Sequence, residues 1–532
     1  MSRLSFIERF VKVISGDQPA EFWSPLQEAL YEALCLLAAR VQALGLSEKI
    51  RARSPHHPVR QNPFFRLSRT VDAILFSLQN QGDFGFLLPV WQNTLADCRK
   101  ELEAINQKLE TAGVNLDLVY SVDVLHQSLE RMEAIIEVLS QPSGLPKIRA
   151  VKDLLSLVIK GRLADRSLME LGSNGMRLLA TKIVEQAGKT GEHYITVTRR
   201  DYSAMWKAGL GGGVLTAVTA ALKLPITHSG FPPFLEGMLA GMNYAFSFIL
   251  IQSFHFVLAT KQPSMTAAAF AGIIKKHQGV SRLNELVTYI ARICRSQLAA
   301  AMANVTAVTV ICTLFALIWK TGKGAPYLST EEADHLFHSL SPFVSGTIFY
   351  AALTGVILWF SSIVGGWIDN WAIYRQLPQA LAEHPLGMVW GKERLEKAAR
   401  ILAPNVAAWG GSIALGFMMG MTPPLGRFFG IPLDVRHVTL TTGTWALAAA
   451  SLGRDWYAKG WFLEALLGIG VIFVLNLTVS FSIALLVALR AYDIPAKEHL
   501  QLLKQVFQRL LRTPREFLLP PKRSTNARTS SH

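Results

Sequence analysis

Between Trp206 and Leu489 one apolar stretch follows another, and the clearest are Trp206 to Leu224, Phe234 to Ala259, Leu298 to Trp319, Val344 to Val364 and Trp461 to Leu489. A helix needs about 20 apolar residues to cross a hydrocarbon core, and each of these runs is of that order. The chain therefore reads as all-α, a polytopic helical membrane protein. Half of its residues are hydrophobic, more apolar surface than one soluble core of this length would use.

The formal net charge of +15 raises the question of nucleic acid, and the answer lies in where the charge sits. Residues 1 to 200 are nearly balanced at roughly +3, and the other roughly +12 falls in the membrane half, the bias that the positive-inside rule describes. Between Lys261 and Gln297 stand Lys261, Lys275, Lys276, Arg282, Arg292 and Arg295 against the single acid Glu285. After the last span come nine cations, from Arg490 to Arg528, against three acids. Both stretches are expected on the cytoplasmic side, whereas Lys320 to Pro342, with Glu331, Glu332 and Asp334, and the cation-free turn from Pro225 to Pro233 are expected outside.

The number of crossings turns on Val438 to Gly453, which is apolar but only about 16 residues long. Counted as a span it makes seven. A cytoplasmic N-terminal domain and a basic cytoplasmic tail need an even number, so six spans are expected, with this segment re-entrant or at the outer face.

The organisation read from the sequence has three parts. Residues 1–204 form a cytoplasmic helical domain, with apolar positions at helical spacing such as Leu116, Val119, Val122, Leu125, Leu129 and Met132, and with turns at Ser54 to Pro63, Ala112 to Asn115 and Gln141 to Pro146. Its helices resemble bundle or coiled-coil packing, suited to support or to docking a protein partner. Residues 205–490 form the transmembrane domain, with cytoplasmic loops at 260–297 and 365–401, and 491–532 form a basic cytoplasmic tail whose end is expected to be disordered. Met1 to Gly16 is broken by Glu8, Arg9 and Lys12, which suits a surface helix at the lipid headgroups rather than a cleaved signal. Cys35, Cys98, Cys294 and Cys312 are scattered and form no metal pattern.

Polar side chains inside apolar spans are costly and so mark candidate sites: Glu236, Asn243, Gln252 and His255 in the second span, Asn304 in the third, Glu464 and Asn476 in the last. After the fourth span, Asp369, Asn370, Tyr374 and Arg375 stand among aromatic residues, where they suit either an interfacial belt or the mouth of a cavity. Glu236, Asn243, His255, Asp369, Asn370, Tyr374, Arg375 and Glu464 are the substrate or ion-site candidates. No catalytic residue, metal or cofactor is indicated. Glu331, His335 and His338 share a helical face, although Ser329 with Glu332 reads more simply as a capping box. Gly209, Gly211, Gly212 and Gly213, and the Gly237/Gly241 pair, suit close helix packing or, alternatively, a substrate gap. Gly212, Pro225, Gly230 and Pro232 are echoed by Gly411, Pro424, Gly430 and Pro432, a faint repeat of the kind found in transporters.

Several polar stretches resemble a bacterial membrane-protein family catalogued as site-specific recombinases, the Gcr-like family. They are Lys182 to Thr196, the Gly211 run, Ala259 to Pro263, Asn370 to Pro378 and Gly430 to Thr439, and the similarity runs from about residue 115 to 490. The resemblance implies a bacterial inner-membrane protein and DNA strand exchange. The residues themselves assemble neither a serine nor a tyrosine recombinase set: the HxxR at His57 to Arg60 has no attacking tyrosine at suitable spacing downstream. The near-neutral N-terminal region lacks the basic face that neutralises phosphates, so DNA contact finds no support there. Two readings stand: a membrane protein of transport, lipid handling or assembly, in the bilayer and with a docking domain, and a recombination factor. Oligomeric state is not legible.

Overall fold

The computed structural model describes residues 20–54, 58–80, 84–109, 116–141, 145–166, 196–258, 279–453, 461–491 and 496–520. Every regular element among them is a helix. They form two compact units, within residues 1–179 and 180–532. Met1 to Gly16, the 182–195 part of the motif before Thr196, Ala259 to Pro263 and the end of the tail lie outside the described residues.

In the first unit α1 (Ala20–Gly45), α2 (Pro63–Asn80), α3 (Leu88–Leu109), α4 (Leu116–Ser140) and α5 (Leu145–Arg166) bury one apolar core. The stripe expected along α4 does so, with Leu118, Val122, Leu125, Leu129 and Met132 packed against Leu34, Phe64, Leu67, Trp91 and Leu102. Pro63 opens α2, where a missing N–H costs nothing, and the Asn62 carboxamide accepts the Phe64 N–H at 3.0 Å. Surface cations alternate with acids: Lys49 pairs with Asp117 at 2.6 Å, Arg66 with Asp97 at 3.4 Å and Arg99 with Glu133 at 2.5 Å. Such pairs add little stability, but they leave these cations engaged at home.

The second unit holds α6 (Arg199–His228), α7 (Pro233–Ser253), α8 (Gly279–Lys323), α9 (Thr330–Leu340), α10 (Thr347–Tyr374), α11 (Lys392–Phe429), α12 (Val438–Leu452) and α13 (Trp461–Ala491). Six of them, α6, α7, α8, α10, α11 and α13, are long and apolar enough to cross a membrane, so this is a multi-pass membrane protein. One end of the bundle, the hairpin end, carries the α6–α7 turn, α9 and the start of α13. The other, the tail end, carries the start of α6, the start of α8 and α14 (Ala496–Arg512) with α15 (Pro514–Leu518).

Helix α12 settles the parity question. It has 15 residues, too few to cross, and most of them are buried against α6, α8, α9 and α13. The chain leaves α11 at the hairpin end, runs inward through residues 431–437, and returns along α12 to the hairpin end, where the Leu328 N–H donates to Ser451 Oγ at 3.2 Å. The segment is therefore re-entrant, and the described residues hold six candidate spans.

Close approach of backbones holds the bundle together, as lipid provides no hydrophobic drive between helices. A β-carbon on Gly420 of α11 would lie 2.3 Å from the Gly241 nitrogen of α7, and one on Gly212 would lie 2.1 Å from the Val257 carbonyl oxygen. The second contact explains why α7 stops short of the expected Ala259. The helix breaks after Ser253, His255 takes a left-handed φ of 56°, and Val257 turns in to donate its N–H to the Ala208 carbonyl at 3.1 Å.

Helices take up much of the described part of two stretches expected as loops. Helix α8 is continuous from Gly279, because Leu286, Val287, Ile290 and Ile293 form an apolar stripe that packs on Leu485, Leu502 and Phe517. Arg295, counted among loop cations, is buried and bonds the Thr196 carbonyl through Nη2. Likewise α10 runs on to Tyr374 and α11 starts at Lys392, leaving residues 375–391 between them. The two echoed turns share a backbone: Gly230 has φ 69° and Gly430 φ 67°.

Candidate functional site

The tip of the re-entrant hairpin gathers polar groups in the middle of the bundle. Asp434 pairs with Arg436 through Oδ2 and Nη1, the Arg436 N–H donates to Thr354 Oγ1 at 2.8 Å, and the guanidinium lies 5.6 Å from the Tyr350 ring centroid. Arg436 keeps 14% of its side-chain surface exposed and His437 beside it is buried. Non-helical backbone at this depth is tolerated where protein encloses it or where it lines an aqueous cavity.

Two asparagines brace the tip. Asn476, about halfway along α13, accepts the Val438 N–H at 3.2 Å and donates to the carbonyls of Ala351 at 2.9 Å and Arg436 at 3.0 Å. Asn304 donates to the carbonyls of Gly209 at 2.5 Å and Val257 at 2.9 Å, and its Oδ1 accepts from the Thr439 hydroxyl at 3.4 Å. Both side chains are fully buried. The start of α12 thus brings the positive end of a helix dipole to mid-bundle beside Arg436, with Asp434 as the compensating charge. Chemically the arrangement offers a charge pair beside a helix N-terminus and no nucleophile with a base.

The residues singled out from sequence are dispersed. Glu236, in the first turn of α7, pairs through Oε2 with Arg427 in the last turn of α11, each charge at the helix end its sign favours. Asn243 Nδ2 donates to the Thr219 carbonyl of α6 at 3.0 Å. Glu464 accepts from the Ser341 hydroxyl at the hairpin end. His255 is exposed at the break after α7, and Asp369, Asn370, Tyr374 and Arg375 lie on the last turns of α10 at the tail end, Asn370 buried and Arg375 exposed. Helix α10 spans 28 residues, roughly 40 Å, so Glu236 and Glu464 at one end and Asp369 to Arg375 at the other do not share a cavity. Sequence reading missed Asp434 and Arg436. The available signal was an Asp-Val-Arg-His run leading directly into an apolar segment too short to cross.

At the hairpin end, Leu224, His228, Glu331, Glu332, His335 and Leu336 line a cavity of about 310 Å³. The capping box is present: the Ser329 N–H donates to Glu332 Oε2 at 2.8 Å and the Glu332 N–H to Ser329 Oγ at 3.2 Å. The Ser329 N–H and hydroxyl, both donating to Glu332 Oε2, with a smaller contribution from His228, hold the Glu332 carboxyl below its ordinary range. Among the described residues no three His, Cys, Asp or Glu side chains are placed to share a metal ion.

With this geometry in hand, comparison with known proteins is informative in one direction. Residues 4–520 match the family described as site-specific recombinase. The chain belongs to that family. No curated protein and no solved structure matches it. The match covers the membrane helices as well as the first unit. Of the HxxR, His57 lies outside the described residues and Arg60 is exposed in a short turn before α2.

Proposed function

We propose that the chain is an inner-membrane protein with both termini in the cytoplasm, and that its membrane unit moves a small anionic solute past the tip of the re-entrant hairpin. The observation that carries this reading is Arg436, a cation enclosed by spanning helices beside the start of a half-length helix. Ionisable groups at such positions are expensive and mark solute or proton paths, and half-helix N-termini face anionic groups in transporters built from discontinuous helices. Arg292 and Arg295 near the start of α8, Arg375, Lys392 to Arg400, and Lys504 to Arg515 collect at the tail end, which supports a cytoplasmic placement for it. The first unit serves in this reading as a docking or regulatory module for a protein partner.

Full-length protein in proteoliposomes tests the proposal against labelled chloride, phosphate and small carboxylates. The expected result is uptake of at least one of them above protein-free vesicles, falling about tenfold or more in Arg436→Gln. Uptake equal to protein-free vesicles for every anion overturns it.

The family description favours a second reading, participation in DNA recombination. A covalent chain–DNA adduct at a single Ser or Tyr in cells expressing the protein would establish it. The pairing of Lys49, Arg66 and Arg99 with acids argues against it, since a DNA-binding face needs cations free to neutralise phosphates.

A further inference from the structure

Helices α6 and α8 run side by side in the same direction. Near the tail end they touch, where a β-carbon on Gly209 would lie 2.7 Å from that of Ala303. Toward the hairpin end Gly443 of α12 packs on the inner side against Ala220, Val308 and Cys312, and the outer side bears a groove of about 260 Å³. Its floor is made of small side chains, Ala217, Ala221 and Cys312, and its rim of Val218 and Leu222, each 53% exposed.

The end wall is a fixed aromatic cluster. Tyr327 meets Phe315 and Trp319 edge-on, with ring centroids 5.1 Å and 5.2 Å apart. Its hydroxyl donates to the Ala221 carbonyl at 2.7 Å. That carbonyl lacks its helical partner because Pro225, four residues on, has no N–H. Proline and tyrosine together thus hold the wall in place. Beyond it, Lys323 Nζ lies 5.9 Å from the Trp319 ring centroid, while Lys320 turns toward Gly453 at the end of α12.

We propose that this groove is a phospholipid site, in which one acyl chain of an anionic lipid lies along the Ala217–Ala221–Cys312 floor and its phosphate sits against Lys323. Both walls are spanning helices, so what reaches the groove from outside the bundle is hydrocarbon. The run from Ala217 to Pro225 extends roughly 12 Å along α6, a length over which an extended chain can lie. Trp319 and Tyr327 mark the headgroup level as interfacial aromatics do, and a cation just above them complements a lipid phosphate. This inference does not depend on the anion path proposed above.

The test uses the full chain in nanodiscs containing phosphatidylglycerol or phosphatidylcholine, each with a photoactivatable acyl chain, and maps adducts by mass spectrometry. The expected result with phosphatidylglycerol is adducts on peptides 217–225 and 311–319 enriched about tenfold over the lipid-facing side of α13 around Leu463 and Leu466. Filling the floor with Ala221→Phe, or bridging the rim with Leu222→Trp should the first variant fold poorly, removes the enrichment and leaves the α13 adducts unchanged. Lys323→Gln removes the preference for phosphatidylglycerol over phosphatidylcholine. Adducts spread evenly over α7, α10 and α13, equal labelling by the two lipids, or labelling unchanged in both groove variants would overturn the proposal.

Discussion

Asn476 caps Val438 from another helix, its Oδ1 accepting the first N–H of α12 at 3.2 Å. The same carboxamide holds the Ala351 and Arg436 carbonyls, so one buried side chain ties α13 and α10 to the hairpin tip. Asn476→Leu removes three buried hydrogen bonds and is expected to cost about 2 kcal/mol, against about 0.6 kcal/mol for Asn243→Ala, which loses one interhelical bond. Unfolding in mixed micelles measures both. Equal losses would contradict the bracing role.

The α7–α11 contact makes a sharper structural prediction. Gly420→Leu must drive a side chain into the Gly241 backbone and should cost about 3 kcal/mol or more, whereas Gly470→Ala, which meets nothing within 4 Å, should be near neutral. Yield of monodisperse folded protein separates the two.

The Glu236–Arg427 pair lies at the hairpin end, and the arginine side chain is 54% exposed. The Glu236 side chain is only 12% exposed, so a double-mutant cycle is expected to give a coupling of about 1 to 3 kcal/mol, and Glu236→Gln should retain solute uptake. Loss of uptake in that variant, with folding intact, would move the solute path to α7.

Glu332 gives a pH dependence of definite sign. Its folded value is lowered by the Ser329 bonds, so the stabilisation is fully present above the unfolded value and fades as pH falls through the folded one. The side chain is 42% exposed, so solvent screening keeps the effect small. Thermal stability measured from neutral pH down into the acid range should fall slightly less in Glu332→Gln than in wild type.

Thiol reactivity reports on the first unit. Cys35 is exposed, whereas Cys98 is enclosed in the core, where burial, with Asp97 and Glu101 adding to it, pushes its thiol well above the ordinary range. Alkylation of native protein should modify Cys35 first and reach Cys98 only on unfolding.

The spans were legible because a bilayer demands a long apolar run, a signal that no tertiary contact can disguise. The short Val438 segment was legible as an exception for the same reason. What escaped was pairing at long sequence range. Glu236 and Glu464 look like ion ligands when their partners Arg427 and Ser341 are invisible, and Asp434 and Arg436 look like loop charges until the fold carries their loop into the bundle. Arg292 and Arg295 disguised the first turns of α8 in the same way, although the apolar stripe from Leu286 to Ile293 was there to be read. The early end of α7 has no local cause, since it follows from the Val257 backbone packing on Gly212.

The central claim is that an aqueous path reaches the hairpin tip. Single cysteines at Asp434, Arg436 and Thr439 in a cysteine-free background, probed in sealed vesicles with a membrane-impermeant anionic thiol reagent, test it most directly. Labelling is expected at 434 and 436, slowed by the transported anion, and far slower at Thr439, which is buried against Asn304. Protection of all three positions from both sides of the membrane would show a sealed structural plug and contradict it.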